Sequence, residues 1–266
     1  MKIFLHLLFI ITIICPGFSQ HLTGSDNITI KKNNVKASSS WFYNEEVKNE
    51  LDNISTYDKN GNITSFELID AVDTTKDIEL FIYKGKLLVE EKHMGTWQTQ
   101  DTLRTVYLYN TNEQLLKKTV KGGWCSYSFT CLYDGNLLTN RVYEKGGNCF
   151  YDDDSLIYDQ QNKLTKILNS VKDVCIKYTY NSDGQLASEL KSGISDTNLI
   201  YQFANYHYLK GKLVKEDAGD SKSGNPKKLR KYVYRYYYYD SGLLKEIKRL
   251  DNDRISYYNK FTYTFY

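Results

Sequence analysis

One unit of pattern recurs along the chain. It is an aromatic or apolar residue, one spacer, a Tyr, a short polar turn that usually holds Gly, and then Leu or Ile. It runs through Tyr57-Asp-Lys-Asn-Gly61-Asn-Ile63, Phe81-Ile-Tyr83-Lys-Gly85-Lys-Leu87, Tyr107-Leu-Tyr109 to Leu115, and Cys131-Leu-Tyr133-Asp-Gly135-Asn-Leu137. It continues through Leu156-Ile-Tyr158 to Leu164, Tyr178-Thr-Tyr180 to Leu186, Tyr206-His-Tyr208 to Leu213, and Tyr237-Tyr-Tyr239-Asp-Ser-Gly242-Leu-Leu244. The anchoring tyrosines are 26, 26, 24, 25, 22, 28 and 31 residues apart. Residues at i and i+2 share one face of a strand. Gly accepts the positive φ of a tight reversal, so each unit predicts a β-hairpin. Asn162 fills the Gly position of the fifth unit, as the next best left-handed residue. Glu113 fills it in the third, which predicts a different or strained turn. The length of the unit suits two strands and two turns.

Two regions fall outside the pattern. Residues 20–54 lack the motif: Thr23 to Ser40 reads as a polar linker and Trp41 to Asn53 as an N-terminal cap, since terminal repeats are atypical. Asn44 could open a short helix bearing Val47 and Leu51. Ala218 to Pro226, rich in Gly, Ser and Asp, reads as a loop, and Phe261 to Tyr266 as a final strand. The repeat array is thus expected over 55–266.

Composition agrees with strands. The chain has 25 Tyr and only two Pro, one of them Pro16. Abundant Tyr and scarce Ala favour β-structure, and scarce Pro leaves ladders intact. The expected fold is all-β, with tandem hairpins forming one elongated, twisted or curved antiparallel sheet. Residues 1–19 read as a secretory signal peptide, with Lys2, an apolar run from Ile3 to Ile14, and a site after Ser19. Cys15 raises a lipid anchor, but Ile14 stands where a small residue is wanted. Residues 20–266 carry 34 basic and 32 acidic side chains, which steers toward neither nucleic acid nor an acidic partner. No segment is long and apolar enough for a transmembrane helix. An outer-membrane barrel is disfavoured, because Lys, Arg and Glu fall on both strand faces.

The unit resembles the YD repeats of RHS proteins, which read Tyr-x-Tyr-Asp-x-x-Gly-x-Leu. The resemblance covers about residue 55 onward and is best at Tyr178 to Leu186, with Asn181 in the Asp position. It implies a hairpin scaffold. In large members of that family such hairpins spiral into a shell around a toxin. Eight units are too few for that, and no toxin segment is seen after them.

No chemistry of an enzyme is legible. His21, His93 and His207 form no metal or triad spacing, and no Gly-x-Ser-x-Gly or phosphate loop occurs. Asp152-Asp153-Asp154 reads as a solvated turn, since alternation separates neighbouring carboxylates. Catalytic, metal and cofactor residues are therefore expected to be none. Among the cysteines, Cys125 and Cys149 lie one repeat apart and are expected to bridge adjacent hairpins; Cys131 and Cys175 are expected to pair or to be buried thiols. The basic, aromatic stretch Lys227 to Tyr236 reads as a charged strand face rather than a nucleic-acid site. With Tyr237 and Tyr239 aligned on the repeat, Tyr232, Tyr234, Tyr236 and Tyr238 fall on the other face and become the expected ligand contacts. The sequence thus describes an exported, non-enzymatic binding or scaffold module for a glycan or protein, periplasmic, cell-surface or secreted. An immunity-like protein that neutralises a secreted partner is the alternative.

Overall fold

The structure is a computed structural model, and it describes residues 27–44, 50–69, 76–95, 103–122, 126–144, 153–169, 172–221 and 229–266. Among the described residues, one short helix, α1 (Asn27–Lys32), precedes eighteen strands. The first nine are β1 (Val35–Asn44), β2 (Glu50–Tyr57), β3 (Ile63–Ile69), β4 (Lys76–Lys84), β5 (Leu87–Gly95), β6 (Leu103–Tyr109), β7 (Leu115–Lys121), β8 (Tyr127–Asp134) and β9 (Leu137–Tyr143). The other nine are β10 (Asp154–Tyr158), β11 (Leu164–Asn169), β12 (Val174–Tyr180), β13 (Leu186–Gly193), β14 (Ile200–Leu209), β15 (Lys212–Ser221), β16 (Leu229–Tyr238), β17 (Leu244–Asp251) and β18 (Arg254–Phe265).

These strands form one antiparallel sheet whose hydrogen-bonded order returns to its start, because β1 pairs with both β2 and β18. The fold is therefore a closed 18-stranded antiparallel β-barrel, which corrects the expected elongated open sheet. The closing element is the one with no motif. Alternation along Val35–Asn44 is carried by Ser38 and Ser40, each buried, and serine gives no apolar signal in sequence. Their hydroxyls are satisfied internally: Ser38 Oγ lies 3.0 Å from the Tyr57 hydroxyl, and Asn259 Nδ2 donates to Ser40 Oγ at 3.0 Å. Closure also removes the exposed edges that an open array must protect. The segment read as linker and cap thus contains α1, β1 and the start of β2. Leu51 lies in β2 rather than in a helix, and residues 45–49 lie outside the described residues. Residues 218–221, expected in a loop, belong to β15.

The hairpins share one local geometry. The register slips by one residue at the anchor in seven of them: Tyr57, Tyr83, Tyr109, Tyr133, Tyr158, Tyr180 and Tyr208 each face the post-turn Ile or Leu across a bulge. In the longer turns an Asp or Asn side chain folds back. Asp58, Asn110, Asp159 and Asn181 each accept from two backbone N–H groups of their own turn through Oδ1. Gly184 sits at φ +79°, as its turn requires, and Asn162 and Glu113 take the same left-handed conformation at +61° and +62°. The third turn is therefore the common one, with a non-Gly residue held in it.

The bulges also explain why the anchor is tyrosine. Between consecutive hairpins the ladder stops short of the turn; between β7 and β8 it ends at Lys117↔Thr130. The Leu115 carbonyl beyond that point would lack a partner, and the Tyr133 hydroxyl donates to it at 2.9 Å. The same bond joins Tyr109 to Leu88, Tyr158 to Leu138, Tyr180 to Leu164 and Tyr263 to Leu244, at 2.7–2.9 Å. A phenol is long enough to cross that splayed gap and still carry a donor at its tip.

The chain divides into two compact units. The first comprises residues 1–76, 235–249 and 255–266, and the second residues 77–234 and 250–254. In the first, Ile30 of α1 is fully buried with Val35, Tyr57 and Leu243, and Ile63 and Tyr263 pack against them.

Candidate functional site

The tyrosine-rich strand β16 reverses the faces expected from the repeat. Tyr236 is 4% exposed, whereas Tyr237 and Tyr239 are 41% and 40% exposed. Tyr232, Tyr234 and Tyr238 are half-buried, and the Tyr232 hydroxyl lies 3.3 Å from Asp220 Oδ2. The cause is a shift of one residue. Tyr239 N–H donates to the Leu243 carbonyl, and Gly242 N–H donates to the Tyr239 carbonyl, which are the bonds that Asp58, Asn110, Asp159 and Asn181 make in their turns. Tyr239 therefore occupies the Asp position and Tyr238 the anchor position. Tyr232, Tyr234, Tyr236 and Tyr238 do not form an exposed contact surface.

The face of the first unit opposite its buried one carries a different aromatic group, in which Tyr237 and Lys260 are exposed and Trp41, Tyr43 and Tyr258 half-buried. On β1 and β18, Trp41 pairs with Lys260 and Tyr43 with Tyr258, on the face opposite the buried pair Ser40↔Phe261. The Tyr43 and Tyr258 rings stack at 4.6 Å with a 6° angle between planes. Lys260 Nζ lies 5.0 Å from the Tyr43 centroid and 5.4 Å from that of Tyr258. The Trp41 indole N–H reaches Thr262 Oγ1 at 3.4 Å, which ties the ring across the strand pair. Lys248 Nζ stands 5.2 Å from the Tyr237 ring and pairs with Glu246 at 2.9 Å. The hydrogen bond that Lys248 donates to Glu246 raises the lysine pKa, with Tyr237 and Tyr258 adding to it. Cation–ring contacts of this kind contribute about 0.5–1 kcal/mol each at exposed sites. Sequence reasoning placed Trp41 in a cap and passed over Tyr43 and Tyr258, because neither belongs to the repeat.

The exposed face of the second unit is built from ion pairs. Arg104 grips Glu90 through two nitrogens, at 2.7 and 3.1 Å, and Lys92 joins the same carboxylate. Glu144 bonds Lys117 and Ser128, which holds its carboxyl below the usual range. Asp217 receives His207 Nε2 at 2.7 Å and Lys215 at 2.8 Å. Ile82, Leu108, Leu132 and Ile157 are exposed among these charges, one per hairpin.

The buried face of that unit holds ionisable groups as well. Lys118 is buried there and Glu91 half-buried, and loss of solvent pushes the Glu91 carboxyl up and the Lys118 ammonium down. Lys118 Nζ lies 5.4 Å from the Tyr107 ring. Arg141 pairs with Asp154 at 2.8 Å, and Asp153 Oδ1 accepts from Tyr143 N–H. Glu189 and Glu216 are 6% and 7% exposed. Burial, then the charge of Glu216, pushes Glu189 up to about 7 against a pull from Lys191, and Glu189 Oε2 has no hydrogen-bond partner among the described residues. His93 Nδ1 lies 3.2 Å from Glu79, whose hydrogen bond raises the imidazole pKa.

Cys131 and Cys175 are buried free thiols, and burial pushes Cys131 up to about 11. Cys125 and Cys149, the expected disulfide, lie outside the described residues, as do Asp152, Lys227, Lys228 and the signal segment with Cys15 and Ser19. Among the described residues, no group of three or more His, Cys, Asp or Glu side chains could hold a metal ion. No described helix is long and apolar enough to cross a membrane.

No family model matches the chain. No curated protein matches it either. Among solved structures it is similar to a TcdB2-TccC3-Cdc42 complex, at 14% identity and a TM-score of 0.36, and to a Photorhabdus luminescens Tc holotoxin pore, at 12% and 0.37. Both alignments cover 84% of this chain and 14% of the other, so the chain spans a small part of those proteins. A porin-like protein from Bacteroides uniformis aligns over 86% of this chain and 98% of its own, at 10% identity and a TM-score of 0.29.

Proposed function

We propose that the chain is an exported, non-enzymatic binding or scaffold module that works in water. The observation that carries this is the exposed face of the second unit. Arg104, Lys117, Lys166 and Lys177 share it with Ile82, Leu108 and Ile157, as the registers Leu108↔Lys117, Ile157↔Lys166 and Lys166↔Lys177 require. A lipid-facing strand needs an apolar band, and a cation near the bilayer midplane costs roughly 2–4 kcal/mol. Four of them, spread over three hairpins, outweigh one aliphatic side chain per hairpin. The recurring bulge and tyrosine hydroxyl bond support reading the hairpins as repeats of the YD type, used as scaffold.

Cell fractionation tests the reading. The full-length chain, expressed in a two-membrane bacterium, should lose residues 1–19 and appear in the soluble periplasmic or secreted fraction. Recovery only from membranes with detergent would overturn it.

A further inference from the structure

We propose that the face of β16, β17, β18 and β1 that carries these rings is a binding strip for an acidic oligosaccharide, with Trp41, Tyr43, Tyr258 and Tyr237 as ring surfaces and Lys260 as the anion contact. The inference rests on the binding-module reading and adds a surface and a ligand class to it.

Four strands lie side by side here in hydrogen-bonded order. Each presents a ring, a lysine or both on one face. Tyr237 and Lys248 are in contact, as are Lys260 with Tyr258 and Tyr43, and Trp41 sits two residues from Tyr43 on the same face. The side-chain contacts described for Lys260 are with rings rather than with a carboxylate, so its charge remains available to an outside anion. The rings also hold the ammonium in place, which lowers the ordering cost of a long flexible side chain on binding. Trp41 is fixed by its bond to Thr262, and Tyr43 by stacking on Tyr258. The strip is therefore assembled before any ligand arrives.

Size decides the class of ligand. Three inter-strand steps of about 4.8 Å make the strip roughly 14 Å long. A stable protein interface needs about 800 Å² on each partner, several times what this strip offers. Oligosaccharides are amphipathic in the way the strip is. Their ring faces are apolar enough to lie on Trp or Tyr, and their edges carry polar oxygens for lysine. Lys260 selects carboxylate-bearing sugars over neutral ones, because an ammonium–carboxylate contact is a charge-assisted hydrogen bond.

The test is titration calorimetry on the purified full chain, with a six-unit polygalacturonate as probe. Maltohexaose serves as the neutral sugar, and inorganic polyphosphate as the anion without sugar rings. The acidic hexamer should bind at least tenfold more tightly than either. Trp41→Ala and Lys260→Gln should each weaken it about fivefold or more, with unchanged melting midpoints. Arg104→Gln, which removes a cation elsewhere, should leave binding as it was. If Trp41→Ala does not fold, Tyr237→Ala takes its place with the same expectation. Any of four results overturns the proposal: no binding of the hexamer, equal binding of maltohexaose or polyphosphate, equal losses with Arg104→Gln, or Trp41-dependent sedimentation with anionic lipid vesicles. A chain that fractionates as soluble but fails this titration would sink the strip and leave the module reading in place. A membrane-bound chain would sink the reading itself.

Discussion

The two units build one exposed face of a sheet with different chemistry. On the second unit, cations face carboxylates: Arg104 with Glu90, Lys117 with Glu144, Lys215 with Asp217. On the first, Lys260 stands over the Tyr43 and Tyr258 rings, and Lys248 lies against Tyr237 while keeping a pair with Glu246. A surface of satisfied ion pairs has its charges neutralised internally and contributes little to stability or recognition. A cation held over rings alone, as Lys260 is, keeps its charge for an outside partner. The buried faces differ in the opposite sense. The first unit buries serines, Tyr57, Leu244 and Phe261, whereas the second buries Lys118, Glu189 and Glu216. One unit is thus inert inside and open outside, and the other carries its unspent charge within.

The largest expected effect tests the faces of β16. Tyr236→Ala removes a ring that is 4% exposed and should cost about 3–5 kcal/mol. Tyr237→Ala, at 41% exposure, should cost less than about 1 kcal/mol. Urea denaturation of both variants measures the contrast. Equal losses would show that the strand is buried on both sides and would remove the exposed face from the first unit.

The second effect concerns the charge buried in the other unit. Glu189 has a folded pKa of about 7 against an ordinary 4.5, raised first by burial and then by Glu216. A raised carboxyl pKa means that its neutral form is favoured in the fold. Its contribution to stability is complete below about 4.5 and is lost as pH rises through about 7. The difference amounts to about 3 kcal/mol at most. Glu189→Gln should therefore be neutral near pH 4 and stabilising at pH 8. A wild-type melting profile flat between pH 5 and 8, unaltered in the variant, would mean that Glu189 is charged and satisfied in the fold. The contrast between the two interiors would then fail.

How much of this was legible follows from where the signal lay. The hairpins were readable because Tyr, the turn Asx and the Gly each answer to a local backbone demand. Tyr133, Asn181 and Gly184 could be assigned roles before any tertiary contact was known. Closure was not readable, since β1 keeps its alternation with Ser38 and Ser40, and serines also mark linkers. The one-residue error at Tyr239 could have been avoided from spacing alone. In the longer turns the anchor precedes the left-handed residue by four positions, as in Tyr57 to Gly61 and Tyr180 to Gly184, which assigns Tyr238 to Gly242. A run of four tyrosines hid the count. The strip on the first unit was out of reach, because β1 and β18 are brought together from opposite ends of the described chain.

The latch between hairpins should behave alike at each of its positions, and it offers a finer test of the scaffold. Tyr133→Phe deletes only the hydroxyl that reaches the Leu115 carbonyl, and Tyr263→Phe does the same at Leu244 in the first unit. Each should cost about 1 kcal/mol, the net value of one hydrogen bond, rising toward 2 where the carbonyl left behind is kept from water. Hydrogen exchange at the turn end of the affected hairpin should quicken, with the far end unchanged. A loss at one site and none at the other would mean that the units are held together differently, not only faced differently.

The smallest effect belongs to the exposed ion pairs. Arg104→Gln breaks a two-nitrogen contact to Glu90, whose carboxyl that guanidinium holds below the usual range. Arg104 is more than half exposed and solvent screens the pair, so the loss should stay within about 0.5–1 kcal/mol and shrink further in 1 M salt. Lys260→Gln should cost no more than that in stability, since one exposed cation–ring contact has a similar magnitude. The two substitutions are thus matched in charge removed and in expected destabilisation. What separates them is recognition. If a ligand-binding difference exists between the faces, it must show between these two variants at equal stability. Identical behaviour in every binding assay would reduce the rings of the first unit to packing and leave both faces as plain solvated surface.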